Sequence, residues 1–172
     1  MNTNKELLCI NNCCKYKITP YFYDFKSSII LNKVIKKAGC FIYDESKNKV
    51  LLVQSRGQMW GCPKGSLKDN ERSIECAIRE VKEETGIGID FKELKESVVI
   101  DNKVEYFIYK MEENEVYVQT NNDSEANDAN GIGWFHIDCL DELIKNGIIN
   151  INQNCRILIR KILKKNLSFN KK

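Results

Sequence analysis

Apolar positions change their period several times along the chain. Short apolar runs predict strands over 38–44 (AGCFIYD) and 49–56 (KVLLVQSR), joined by the turn-like ESKN. Similar runs predict strands over 97–100 (SVVI), 104–111 (VEYFIYKM) and 131–137 (GIGWFHI), with a long polar loop, QTNNDSEANDAN (119–130), before the last. A helical period takes over from about Glu71 to Thr85 and stops at Gly86, a good C-terminal cap residue. DCLDELIKNG (138–147) predicts a helix with Asp138 as its N-cap, and INQNCRILIRKILKKNL (151–167) predicts the last one. Residues 57–70, rich in glycine, proline and polar side chains, read as a loop. Residues 1–37 read as a polar, irregular extension with Pro20, the aromatic cluster YFYDF and a short helix over 26–37. Residues 168–172 read as a frayed tail, which leaves 38–167 as the folded domain. No internal repeat is apparent. Strands interleaved with helices predict an α/β or α+β domain.

The helix from Glu71 has two distinct arcs. Measured from Glu71 at 100° per residue, Ile74, Ala77, Ile78 and Val81 fall between about 240° and 340°. They form a core-facing stripe. Glu83, Glu80 and Glu84 fall near about 120°, 180° and 220°, on roughly the opposite side, while Lys82 points elsewhere. Like charges three and four apart destabilise a helix, so three clustered carboxylates call for a compensating cation. Hard divalent ions such as Mg²⁺ suit converging carboxylates. In the preceding loop, Gly57, Gly61 and Gly65 allow close backbone approach to a ligand, Pro63 stiffens the segment, and Lys64 can meet a phosphate.

Composition narrows the class without naming a reaction. The 172 residues, 42% hydrophobic and 30% charged, suit one globular domain with a sizeable core. No stretch approaches a membrane span and no secretory leader is visible, which predicts a soluble, cytoplasmic protein. The net charge of +3 hides an asymmetry. Residues 1–38 carry seven lysines against two acids, and residues 145–172 carry eight basic residues and no acid, while 39–144 hold 22 acidic and 12 basic residues. An acidic centre between basic ends fits a cation site flanked by surfaces for a polyanion. Lysine, asparagine and isoleucine supply 62 residues, a bias of AT-rich genomes such as those of low-GC bacteria, protists or large DNA viruses. Eight scattered cysteines read as reduced thiols rather than a disulfide framework. Cys9, Cys13 and Cys14 lack a second pair or nearby histidine to complete a zinc site, since the one histidine, His136, is remote in sequence.

From Gly65 the chain reads Gly, five residues, Glu71, seven residues, then Arg79-Glu80-Val81-Lys82-Glu83-Glu84-Thr85-Gly86-Ile87. This resembles the complete Nudix box, and the likeness in element order extends from about Ala38 to Leu167. The resemblance implies an α/β/α sandwich with a mixed sheet and hydrolysis of a diphosphate linkage with Mg²⁺ or Mn²⁺. It implies Glu80, Glu83, Glu84 and the Gly65 carbonyl as metal ligands, with Glu71 and Arg79 as a structural ion pair. Glu84, or Glu125 or Asp128 from the later loop, would deprotonate the attacking water.

The surroundings of the box resemble the catalytic domain of mRNA-decapping enzymes. Trp60-Gly61-Cys62-Pro63-Lys64-Gly65 and Cys76-Ala77-Ile78-Arg79-Glu80-Val81 carry that likeness, although Cys62 stands where phenylalanine is frequent. The resemblance implies capped RNA as partner and a basic helix that binds it. Arg156, Arg160, Lys161, Lys164 and Lys165 lie opposite an apolar face of Ile151, Cys155, Leu158, Ile159, Ile162 and Leu163, with Ile157 as the exception. Residues 1–37 are too few for the helical regulatory domain of the cellular enzymes, so the expectation is a reduced, viral-type enzyme acting in host cytoplasm without a stable protein partner. Trp60, Trp134 and Tyr106 could stack on a methylated guanine or pack internally. Two alternatives remain: a Nudix hydrolase of dinucleoside or diphosphoinositol polyphosphates, and a catalytically silent RNA- or nucleotide-binding module.

Overall fold

The computed structural model describes residues 5–9, 11–18, 37–55, 58–117 and 129–168. In chain order its elements are β1 (Lys5–Leu8), β2 (Lys15–Ile18), β3 (Lys37–Asp44), β4 (Lys49–Ser55), β5 (Met59–Gly61), β6 (Lys64–Ser66), α1 (Ser73–Thr85), a 3-10 turn (Phe91–Glu93), β7 (Ser97–Ile100), β8 (Val104–Lys110), β9 (Gly131–His136), α2 (Ile137–Lys145), β10 (Asn150–Ile151) and α3 (Gln153–Leu163). The main sheet runs β1-β2-β9-β4-β3-β8-β7, with β5 joining β4 to β10 and β6 pairing with β3. β3 and β8 are parallel, as are β5 and β10, and the other pairs are antiparallel. The sheet is therefore mixed.

Successive strand residues point to opposite faces, and both faces are covered. Phe41, Tyr43, Val50 and Leu52 face α2 and α3 with Leu140, Ile144, Leu158 and Ile159. Cys40, Ile42, Leu51 and Val53 face α1 with Cys76, Ala77 and Val81. This is the α/β/α sandwich implied by the box. Ala77 and Val81 are fully buried, and Ile74 and Ile78 pack beside them.

Several boundaries differ from expectation for physical reasons. The loop over 57–70 contains β5 and β6, each too short to show a hydrophobic period. The extension over 1–37 contributes the β1–β2 hairpin, whose β2 pairs antiparallel with β9. Of the helix expected over 26–37, residues 26–36 lie outside the described residues, and Lys37 begins β3. α1 starts at Ser73, with Glu75 accepting a hydrogen bond from the Arg72 backbone N–H at 3.1 Å, and closes on Gly86 with φ 77°. β9 runs into α2 without a linker, so the N-cap is His136, whose Nδ1 accepts from the Asp138 N–H, rather than Asp138. In the last segment Ile151 belongs to β10, Asn152 caps the helix, and α3 ends at Leu163 rather than Leu167. No helix among the described residues is long and apolar enough to cross a membrane.

Candidate active site

The loop between β5 and α1 folds over the carboxylate arc of α1. β6 pairs with the start of β3, aligning Gly65 with Ala38. Glu80 and Glu84 are consequently buried, at 9% and 6% exposure, rather than facing solvent. The Lys64 backbone N–H donates to Glu84 Oε2 at 3.0 Å. Gly65 is required by close approach: a Cβ there would stand 2.0 Å from Glu80 Oε1. The Lys64 side chain is half-buried beside this cradle.

Arg79 organises the other carboxylates. Its Nε and Nη2 donate to both oxygens of Glu71 at 2.7 and 2.9 Å, and Nη2 also donates to the Ser66 carbonyl at 3.1 Å. The Glu71–Arg79 pair thus ties loop to helix, and its hydrogen bonding lowers the Glu71 carboxyl to about 2. Arg79 Nη1 goes further, donating to Glu80 at 2.6 Å and Glu83 at 2.9 Å. That bridging role was not anticipated, although the i,i+4 spacing to Glu83 carried a signal for it. Burial raises the Glu80 carboxyl despite the neighbouring guanidinium. A buried carboxylate resisting ionisation beside other carboxylates is a group that a bound cation would stabilise. The donor set of Glu80, Glu83, Glu84 and the Gly65 carbonyl is all oxygen and fits a hard divalent ion.

Other expected site residues part company. Glu125 and Asp128 lie outside the described residues, as does Gly57. Trp60, Trp134 and Tyr106 are 1%, 2% and 0% exposed and sit in the cores, so none is a base-stacking platform. Trp60 packs edge-on against Phe135 with ring centroids 5.0 Å apart. Arg160, Lys161, Lys164 and Lys165 are exposed at the C-terminal end of α3 and just beyond it. Arg156 is not part of that surface. It is half-buried and donates to the Ser168 carbonyl, and Ser168 donates its N–H to Asp141.

Two contacts missing from the sequence reading join α3 to the catalytic loop. β10 pairs with β5, and the Asn152 N–H donates to the Trp60 carbonyl at 2.9 Å. Gly61 then lies so close to Asn152 that a Cβ would stand 1.8 Å from its Nδ2. Next to it, Cys62 is buried with its Sγ 3.7 Å from that of Cys155 on α3. A bulkier side chain at Cys62 would meet the helix.

Comparison with known proteins agrees with this geometry. The NUDIX domain family model matches residues 34–153. Protein 111R of Invertebrate iridescent virus 3, named for a hydrolase, is 32% identical over 171 residues, covering 93% of this chain and 91% of its own length. The mRNA-decapping protein g5R of African swine fever virus is 44% identical over 55 residues, but this spans only 30% of this chain and 22% of that protein. Among solved structures, a bifunctional NMN adenylyltransferase/ADP ribose pyrophosphatase from Francisella tularensis, complexed with AMP and a manganese ion, superposes with a TM-score of 0.58. At 16% identity, covering 76% of this chain and 41% of that one, it shares the fold alone. Box, sandwich and full-length relative converge, and the chain belongs to the Nudix family of hydrolases.

Proposed function

We propose that this protein hydrolyses the 5′ cap of RNA, releasing methylated GDP and leaving 5′-monophosphate RNA. The observation that carries this reading is the join between the phosphate loop and α3. Asn152, which caps α3, is seated on Gly61, four residues from the metal-ligand candidate Gly65. A helix with exposed Arg160 and Lys161 near its end, and exposed Lys164 and Lys165 just beyond it, is thereby held in fixed relation to the chemistry. That arrangement suits a substrate with a diphosphate at one end and a polyanionic chain behind it. The partial likeness to a viral decapping protein supports the same reading.

Glu80, Glu83, Glu84 and the Gly65 carbonyl would hold Mg²⁺ or Mn²⁺, which when bound offsets phosphate charge and lowers the pKa of a water. The chain's own groups supply the rest. The Lys64 N–H fixes the Glu84 carboxylate at 3.0 Å. Arg79 holds Glu80 and Glu83 in register with the loop. Lys64 offers its ammonium to a phosphate oxygen, and Glu84, Glu125 or Asp128 takes the proton of the attacking water. The compartment that fits is the cytoplasm, where capped RNA is abundant.

A second reading, hydrolysis of dinucleoside or diphosphoinositol polyphosphates, is favoured by one observation: the three aromatic candidates for cap stacking are all internal. Incubation with cap-labelled long RNA, free cap dinucleotide and diadenosine tetraphosphate, each with Mg²⁺ or Mn²⁺, separates the readings. Methylated GDP released from long RNA alone is the expected result. Preferential cleavage of the free dinucleotides overturns it, and absence of turnover on every substrate leaves a silent binding module.

A further inference from the structure

The β1–β2 turn and the start of α2 bring four cysteines together on the side of the sheet away from α1. Cys9, Cys13 and Cys14 occupy the turn, and Cys139 lies in the first turn of α2. All four Sγ atoms lie within 4.8 Å of one another. Cys13 Sγ is 3.6 Å from Cys9 Sγ, 3.8 Å from Cys14 Sγ and 3.0 Å from Cys139 Sγ. The fourth ligand missing from the sequence reading is therefore Cys139, brought in by the fold.

We propose that Cys9, Cys13, Cys14 and Cys139 form a structural Zn²⁺ site, separate from the carboxylate site, that clamps the β1–β2 hairpin to the β9–α2 junction. Zinc–sulfur bonds near 2.3 Å in a tetrahedron place sulfurs about 3.8 Å apart, and two of the three separations above already match. Thiolate sulfur in a four-ligand set selects zinc over the hard ions suited to the carboxylates.

The surroundings of Cys9 favour a thiolate. Burial pushes the Cys9 thiol up, but the backbone N–H groups of Cys13, Cys14 and Asn11 outweigh it and bring the thiol down to about 7. The His136 backbone N–H donates to Cys14 Sγ at 3.2 Å, and Asn11 Nδ2 donates to Cys139 Sγ at 3.6 Å. Cys13 and Cys14 resist ionisation without a cation: the hydrogen bond with Cys139, then burial, raises Cys13 to about 11, and burial raises Cys14. Zinc would displace these protons and cancel the repulsion among the sulfurs. The backbone is built for the clamp as well. The Cys9 N–H donates to the Cys14 carbonyl at 3.1 Å, and the Asn12 N–H to the Cys9 carbonyl at 2.9 Å, with Asn12 at φ 54°.

The test uses the full chain, purified under reducing conditions. Elemental analysis is expected to find one zinc per chain, retained by Glu84→Gln and lost from Cys139→Ser and Cys13→Ser. Cobalt replacement is expected to give intense thiolate-to-metal charge-transfer absorption, which carboxylate ligands cannot produce. Cys13, the exposed thiol of the four, should be alkylated readily only after the zinc is stripped, and stripping it should lower Tm by at least about 5 °C. If the serine variants fail to fold, the wild-type zinc content, cobalt spectrum and thiol protection still decide. Zinc-free protein that ignores added zinc, iron in its place, or a Cys13–Cys139 disulfide in the reduced preparation would each overturn the proposal.

Discussion

At the scale of single residues, the site depends on groups whose position matters more than their identity suggests. Glu84 is buried and pinned by a backbone N–H, so Glu84→Gln keeps the packing and removes a charge. Hydrolysis should fall by about 10³-fold with the melting temperature little changed. Gly65→Ala acts differently. The new Cβ collides with the carboxylate end of Glu80 rather than with backbone, so the fold is kept while the carboxylate is pushed off its place beside Arg79. A loss on the order of 10²-fold in kcat/KM, with normal circular dichroism, is the expected signature. The box made the carboxylates legible in the sequence because fixed spacing sets a helical arc. It did not reveal that Arg79 bridges Glu80 and Glu83, or that three large aromatics are internal, because both depend on how loop and sheet close. Asp44 offers a pH test away from the site. Burial alone would raise its carboxyl, but hydrogen bonds from Ser46 Oγ and from the Glu113 and Lys47 N–H groups outweigh it and hold it at about 2. An unfolded aspartate titrates near about 3.9, so this contribution to stability is complete above that value and disappears as pH falls toward 2. Thermal melts from pH 6 to pH 2 should show a shallower acid decline for Asp44→Asn than for the native chain.

At the scale of elements, the basic residues of α3 and of the segment just after it fall into two settings. Arg160, Lys161, Lys164 and Lys165 are exposed, whereas Arg156 faces inward to the Ser168 carbonyl. Under the proposed capped-RNA reading, neutralising the four exposed residues should weaken RNA binding with little effect on Tm. The slope of log K against log salt should flatten by up to about 3 for single-stranded RNA, read from filter-binding titrations. Arg156→Ala should do the reverse, lowering Tm while leaving the salt slope intact, because it strips a partner from the segment that follows the helix. The sequence could not separate these cases. A helix extended to Leu167 puts all five on the polar side, and it is the return of the chain to Ser168 that covers Arg156. Short strands were equally hidden: β5, β6 and β10 hold two or three residues each, too few for any period. The long strands and α1 were legible because each has one or two clear apolar faces.

At the scale of the whole molecule, the sandwich followed from alternating strands and helices, while the place of the first eighteen residues did not. Neither KELL nor KYKI alternates like a half-buried strand, and the partner that gives them order, β9, is remote in sequence. Cys139 is illegible as a ligand in the sequence for the same reason, since only closure of the sheet carries it to Cys13. The hairpin covers one edge of β9, a strand whose residues from Gly131 to Phe135 are buried. Deleting residues 1–18 should therefore leave an apolar edge open to pairing with another chain. Light scattering should detect association of that truncated protein at concentrations where the full chain stays dispersed. The pairing of Lys17 with Ile132 also sets an order of assembly during synthesis. The hairpin is made well before its partner strand, more than a hundred residues further along. The hairpin thus cannot be seated until β9 emerges, and in that interval it must be kept from competing partners.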